Sequence, residues 1–269
     1  MTRDNLLYLR QQLTDLGFGS SNTDALEQGM ERGDKEIQWK EEFFYRDRTI
    51  RLELFFKRTS REDRYYFEQF RVCMEAPDWY QQELAQTFYI YTAVGLSLEE
   101  GCNLLEGRSV NKDMHNSRGE PYNAWILIKW GKKDQHGNFG YREFHQNYGY
   151  ELEKTLDQFK IKELENPNQK DVILGSLRHG NKLELTIDRD GVEGRYWLEA
   201  CPQYKSLNIY DGGERVVDMN GFRKEKRVEL KNADGSLDMK PAPRKWYTPK
   251  VNDFQRLRGN ALRPKSRGR

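Results

Sequence analysis

The chain has 269 residues, with 45 Lys+Arg against 43 Asp+Glu, a net charge of +2 and 36% hydrophobic residues. Its mean hydropathy is -1.00; no run nears the ~20 consecutive apolar residues of a membrane span, and the opening MTRDNLLYLRQQL breaks the apolar stretch of an export signal. The 13 Phe, 15 Tyr and 6 Trp argue against disorder, since rings in such number bury enough apolar surface to offset backbone entropy, so a soluble, folded, cytoplasmic protein is expected.

In chain order, Thr2 caps a first helix whose Leu6, Leu9, Leu13 and Leu16 recur at helical spacing, and Gly17 and Gly19 end it. A second helix is expected over residues 22–32, with Gly33 as its stop. The period then drops to two. Ile37, Trp39, Phe43 and Tyr45 share one strand face, interrupted by Glu41. After a turn at 46–49, Leu52, Leu54 and Phe56 alternate with Arg51, Glu53, Phe55 and Lys57. Residues 64–74, closed by Pro77, and 86–91 add two strands. Ser97-Leu-Glu-Glu100 is a capping box opening a helix to Leu105, with Gly107 behind it.

The second half repeats the theme. Strands at 122–130 and 139–144 flank the turn-rich Asp134-Gln-His-Gly-Asn138. Helices are expected over 148–161, with Leu152, Leu156 and Phe159 inward, and over 167–177, ended by His179 and Gly180. A meander follows: Leu183, Leu185 and Ile187 alternate with polar residues, and Asp190-Gly191 turns into 192–200. Further strands are expected at 204–210 and 214–217. Runs of strands joined by short turns, with helices in pairs, give an α+β class with antiparallel meander sheets. The expected organisation is an N-terminal lobe over 1–107, a C-terminal lobe over 108–221 and an irregular, extended or disordered basic tail over 222–269. Residues 106–112 are either a linker or a strand of one continuous sheet, and the repeated order of elements hints at a duplication.

No phosphate-binding glycine loop or dinucleotide fingerprint follows any strand. Cys73, Cys102 and Cys201 are far apart and odd in number, which supports neither a disulfide framework nor a structural zinc site. His136 and His145, with Arg142 and Tyr148, are the nearest approach to a catalytic cluster, yet they lack a carboxylate at metal-ligand spacing and read as turn and helix-entry residues. Asp188, Asp190, Glu193 and Glu199 lie on one hairpin, where a metal-dependent nuclease would need clustered carboxylates; a solvated strand face is the preferred reading. No catalytic residue, metal or cofactor is therefore expected. Phe55, Tyr66 and Phe70 amid Arg51, Lys57, Arg64 and Arg71 form a candidate base-stacking platform, against the stronger reading that strand aromatics pack a core.

Charge is divided along the chain. Residues 222–269 hold 15 Lys/Arg and 5 Asp/Glu, a net of +10, which leaves −8 on residues 1–221. From Lys240 onward Asp253 alone faces Lys240, Arg244, Lys245, Lys250, Arg256, Arg258, Arg263, Lys265, Arg267 and Arg269. A basic tail on an acidic body favours nucleic acid, because released counterions drive association, unless the tail serves solubility or docks on its own body. Trp246, Tyr247 and Phe254 stand out in it as anchors for a partner protein.

Glu106-Gly-Arg-Ser-Val-Asn-Lys112, Tyr122-Asn-Ala-Trp125, Phe144-His-Gln-Asn-Tyr-Gly149, Gly180-Asn181, Glu199-Ala-Cys-Pro-Gln-Tyr204 and Asn208-Ile-Tyr-Asp211 occur in that order. Together with residues 1–19 and Phe88-Tyr-Ile90, they resemble a domain-of-unknown-function family encoded by Bacteroidetes conjugative and other mobile elements. Members tend to have Asn where Cys201 stands here. The resemblance covers about residues 1–217 and implies a setting of DNA processing and transfer, with no catalytic residues to carry over. The expectation is a non-enzymatic accessory protein of a mobile element, its tail binding DNA or RNA without reading sequence, among DNA-processing proteins of the same element. The alternative is an adaptor whose tail docks on a partner protein.

Overall fold

A computed structural model describes residues 3–19, 23–46, 48–59, 64–75, 83–90, 95–116, 118–212, 214–216, 219–224, 227–231 and 237–241. The chain divides into two compact units, Met1–His145 and Gln146–Arg269.

The first unit opens with α1 (Arg3–Asp15) and α2 (Asp24–Arg32). Leu6, Leu9 and Leu13 of α1 are buried at the expected spacing. Gly33 ends α2 in the left-handed conformation at φ 75°, where a side chain would be strained. Four antiparallel strands follow as a meander: β1 (Glu36–Tyr45), β2 (Arg48–Arg58), β3 (Tyr65–Met74) and β4 (Leu84–Tyr89). The register pairs Trp39 with Leu54 and Leu54 with Phe70, placing the apolar members of the alternation on one face. Phe18, Phe67, Phe70 and Phe88 meet there, with successive ring centroids 4.9 to 6.4 Å apart.

The helix α3 (Leu98–Leu105) starts at the Ser97 box: Ser97 Oγ accepts from Glu100 N, and Glu100 Oε2 accepts from Ser97 N at 2.8 Å. It leads into a second antiparallel sheet, β5 (Val110–His115), β6 (Pro121–Lys133) and β7 (Phe139–His145). Of residues 106–112, the stretch from Val110 is strand, but in a separate three-stranded sheet and not in one continuous with β1–β4. Val110, Ile126, Ile128 and Phe139 join the same core as α1 and the first sheet. The expected division at 107/108 thus falls inside the first unit, and the compact units meet at 145/146.

Side-chain amides stand in for peptide groups at three places on these sheets. Gln86 on β4, 2% exposed, donates to Phe139 O at 3.1 Å and accepts from Phe139 N at 2.8 Å, taking the place of a peptide group on the rim of β7. Asn138 Oδ1 accepts from Thr87 N at 2.9 Å. Asn5 of α1 does the same for Tyr65, donating to its carbonyl and accepting from its N–H.

The second unit begins with a short α4 (Leu152–Leu156) and α5 (Pro167–Arg178). The helix expected over 148–161 is corrected: beyond Asp157 the chain is drawn into strand-like pairing, Phe159 with Arg223 and Ile161 with Ile187. Leu152, Leu156 and Phe159 are nonetheless buried. Then β8 (Leu183–Arg189), β9 (Val192–Cys201), β10 (Ser206–Asp211) and β11 (Glu214–Arg215) form the second four-stranded meander. Asp190 and Gly191 both have positive φ, 54° and 91°, the primed turn that matches strand twist, and Asp188 Oδ1 accepts from Gly191 N. Both units thus run from two helices into a four-stranded meander.

Phe222 belongs to the body rather than to a tail. It is fully buried, its ring centroid is 4.9 Å from that of Tyr196, and its carbonyl accepts from Lys160 N. Lys224 N donates to Gln158 O, and Arg223 Nη1 to Gln158 Oε1. Farther on, β12 (Arg227–Lys231) and β13 (Leu237–Pro241) pair antiparallel, so the expected irregular segment holds a two-stranded ladder.

Candidate nucleic-acid interface

Of the bases expected to contact nucleic acid, Lys240 sits on β13, opposite Val228. Arg244, Lys245, Lys250, Arg256, Arg258, Arg263, Lys265, Arg267 and Arg269, and the anchors Trp246, Tyr247 and Phe254, lie outside the described residues. Ahead of them in the chain, the buried Phe222 is held in the second unit, its carbonyl accepting from Lys160 N.

The stacking trio on the first sheet is split. Phe70 is fully buried in the core, whereas Tyr66 is exposed and Phe55 half-buried. Phe55, Gln69 and Tyr89 form one cross-strand row. Cations on this face are largely matched by carboxylates: Lys40 lies 3.3 Å from Glu53, Lys57 lies near Glu36 and Glu68, and Arg51 pairs with Glu83. Such a face offers rings without a surplus of positive charge.

His145 has a carboxylate neighbour that sequence spacing did not reveal. Residues 143 and 145 share a strand face, and His145 Nε2 lies 3.3 Å from Glu143 Oε2. Tyr122 OH donates to the same oxygen at 3.2 Å, and desolvation followed by the Glu143 charge raises the phenol pKa. His136 sits beside the Gln135 amide in its own turn, and Asp134 accepts from the backbone N–H groups of His136 and Asn138. Those bonds, Asn138 first, lower the Asp134 pKa.

The four-stranded sheet of the second unit brings further polar residues together. Register pairs Trp197 with Tyr210, Glu199 with Asn208 and Cys201 with Ser206, so these six share one face. Asp188 and Glu193 are solvated and pair with Lys160 and Lys162, but Glu199 is 8% exposed, which corrects the reading of all four carboxylates as a solvated face. Glu199 Oε1 accepts from Asn208 Nδ2 and from Tyr210 OH, each at 2.7 Å. Desolvation, then the Glu199 charge, pushes the Tyr210 hydroxyl up and keeps it protonated. Lys182 Nζ stands 3.9 Å from the Tyr210 ring centroid and 5.8 Å from that of Trp197, itself 41% exposed.

Cys201 and Cys102 are buried thiols, each pushed up to about 12 chiefly by desolvation. A thiol at that value supplies no thiolate near neutrality. Among the described residues, no three His, Cys, Asp or Glu side chains converge as a metal site would need, and no helix is long and apolar enough to cross a membrane. Searches against family models, curated proteins and solved structures found no match.

Proposed function

We propose that the chain is a non-enzymatic accessory protein of a mobile genetic element that binds nucleic acid through its basic C-terminal segment. The observation that carries this is the division of charge at a fixed anchor. Phe222 is locked into the second unit, and the residues from there onward carry +10 while those before carry −8. Nine of the ten candidate bases follow Pro241. Opposite charges so divided along the chain favour contact of a polyanion with the basic segment and disfavour it with the acidic residues before it. The resemblance of residues 1–217 to a mobile-element family supplies the setting.

The test compares the full chain with one ending at Pro241, whose net charge is −6. Ending at Pro241 keeps Phe222 and its contacts to Lys160 and Tyr196. Anisotropy of a labelled single-stranded oligonucleotide at low salt is expected to show binding by the full chain and its loss in the shortened one. Equal binding by both chains, or none by either, overturns the proposal. A complex of the full chain that ignores salt and fails on replacing Trp246, Tyr247 and Phe254 favours the protein-adaptor alternative.

A further inference from the structure

The first sheet ends in a long edge, and among the described residues no strand covers it. β1 stands first in the order β1-β2-β3-β4 and pairs with β2 alone. Arg58 N donates to Lys35 O, so in this unbroken register the odd-numbered residues of β1 turn their peptide groups towards β2. The peptide groups of Gln38, Lys40, Glu42 and Phe44 therefore point outward, and among the described residues they have no hydrogen-bond partner. Their side chains are exposed, that of Phe44 to 73%. Other rims are met: Gln86 and Asn138 join β4 to β7, and Lys160 and Glu163 bond to β8. An open rim of this length is a template for an added strand.

Charge decides what that strand is. On the core face of β1, Glu41 stands half-buried between Trp39, 5% exposed, and the half-buried Phe43. On the outer face Lys40 has Glu53 at 3.3 Å, while Arg51, across from Glu42, is taken by Glu83. Among the described residues neither Glu41 nor Glu42 has a side-chain hydrogen bond or an ion pair. A second copy laid antiparallel on this edge brings like charges together in each central register. Centred on Glu41 it sets that acid against itself, and centred on Lys40 or Glu42 it does the same for them. An inward acid at mid-edge thus guards against self-pairing, yet stays open to a strand that brings a base.

We infer that β1 takes an extended, antiparallel segment of a partner protein in which two consecutive bases face Glu42 and Glu41. An apolar residue before them faces Phe43, and an acid after them faces Lys40. Residues opposite Lys40, Glu42 and Phe44 exchange peptide hydrogen bonds with the open rim. Those opposite Glu41 and Phe43 are the non-bonded pairs of the ladder, where Cα atoms lie only ~4.5 Å apart, so their side chains meet most closely. The base opposite Glu41 is therefore the main determinant. The edge belongs to the first unit, and the reading of the basic C-terminal segment does not depend on it.

The probe is a labelled synthetic peptide of the order Val-Val-Lys-Lys-Glu-Val, titrated into the full chain by fluorescence anisotropy. Saturable binding is expected, and changing both lysines to glutamate is expected to weaken it by about tenfold. Glu41→Gln weakens the lysine peptide by about fivefold, and Glu41→Lys restores binding of a peptide with glutamate at the facing place. N-methylation separates strand addition from loose charge attraction. At the residue opposite Glu42 it removes an N–H that donates to β1 and abolishes binding; at the residue opposite Glu41, whose N–H points away, it leaves binding intact. The methylated peptides leave the protein untouched, so the test does not hang on how the Glu41 variants fold. No saturation up to ~1 mM, equal effects of methylation at the two places, or an affinity unchanged in Glu41→Gln overturns the inference. Self-association of the chain that the peptide competes away overturns the choice of partner and places a second copy on the edge.

Discussion

Gln86 offers a test of how the first unit holds its two sheets together. Replacing it by Met keeps much of the volume and removes both bonds to Phe139. Each lost bond is worth about 1 kcal/mol net, and each backbone group left dry costs about 1–3 kcal/mol more, partly recovered by relaxation, so a loss of ~3 kcal/mol is expected. In a unit of this size that lowers Tm by roughly 10 °C. Gln86→Glu keeps the acceptor for Phe139 N but sets a carboxylate near Phe139 O; its deficit therefore shrinks as pH falls and the protonated acid donates instead. Urea unfolding followed by tryptophan fluorescence gives the energies, and hydrogen exchange at Phe139 N locates the effect. A Gln86→Met change below ~0.5 kcal/mol, with exchange at Phe139 unaltered, refutes the reasoning, since two dry peptide groups cannot cost so little.

Phe222→Ala removes a fully buried ring and is expected to destabilise the second unit by about 3–5 kcal/mol, read by chemical denaturation. A cost below 1 kcal/mol would mean that the residue does not anchor the C-terminal segment. The thiols make a prediction in pH. Cys102 and Cys201 ionise at 9.0 when exposed and at about 12 when folded. The folded chain therefore holds more protons between these values, and stability is full below pH 9 and falls as pH rises towards 12. A thiol reagent at neutral pH labels neither before unfolding; prompt labelling of either contradicts the burial described.

Local signals were legible because they act within a few residues. The leucine spacing of α1, the Ser97 box and the Asp190-Gly191 turn each fix nearby backbone, and all three appear as expected. The extent of α4 was not legible. Residues 157–161 fit a helix until Ile187 and Arg223, remote in sequence, claim their backbone. Gln86 escaped notice and Glu199 was read as solvated for one reason: polar residues at strand positions look like a solvated face, and only tertiary packing reveals that both are buried. Asn208 likewise gains meaning only from its cross-strand partner. Phe222 sits at the start of a segment rich in bases, and composition hid the one ring that ties it to the core.

The salt dependence of binding tests the central claim most directly. With about six single-strand phosphates neutralised, log K falls against log salt with a slope near −4 for the full chain. Ending the chain at Pro241 is expected to bring that slope close to zero along with the affinity. A slope unchanged by the truncation would place the polyanion elsewhere on the molecule and contradict the role given to the basic segment.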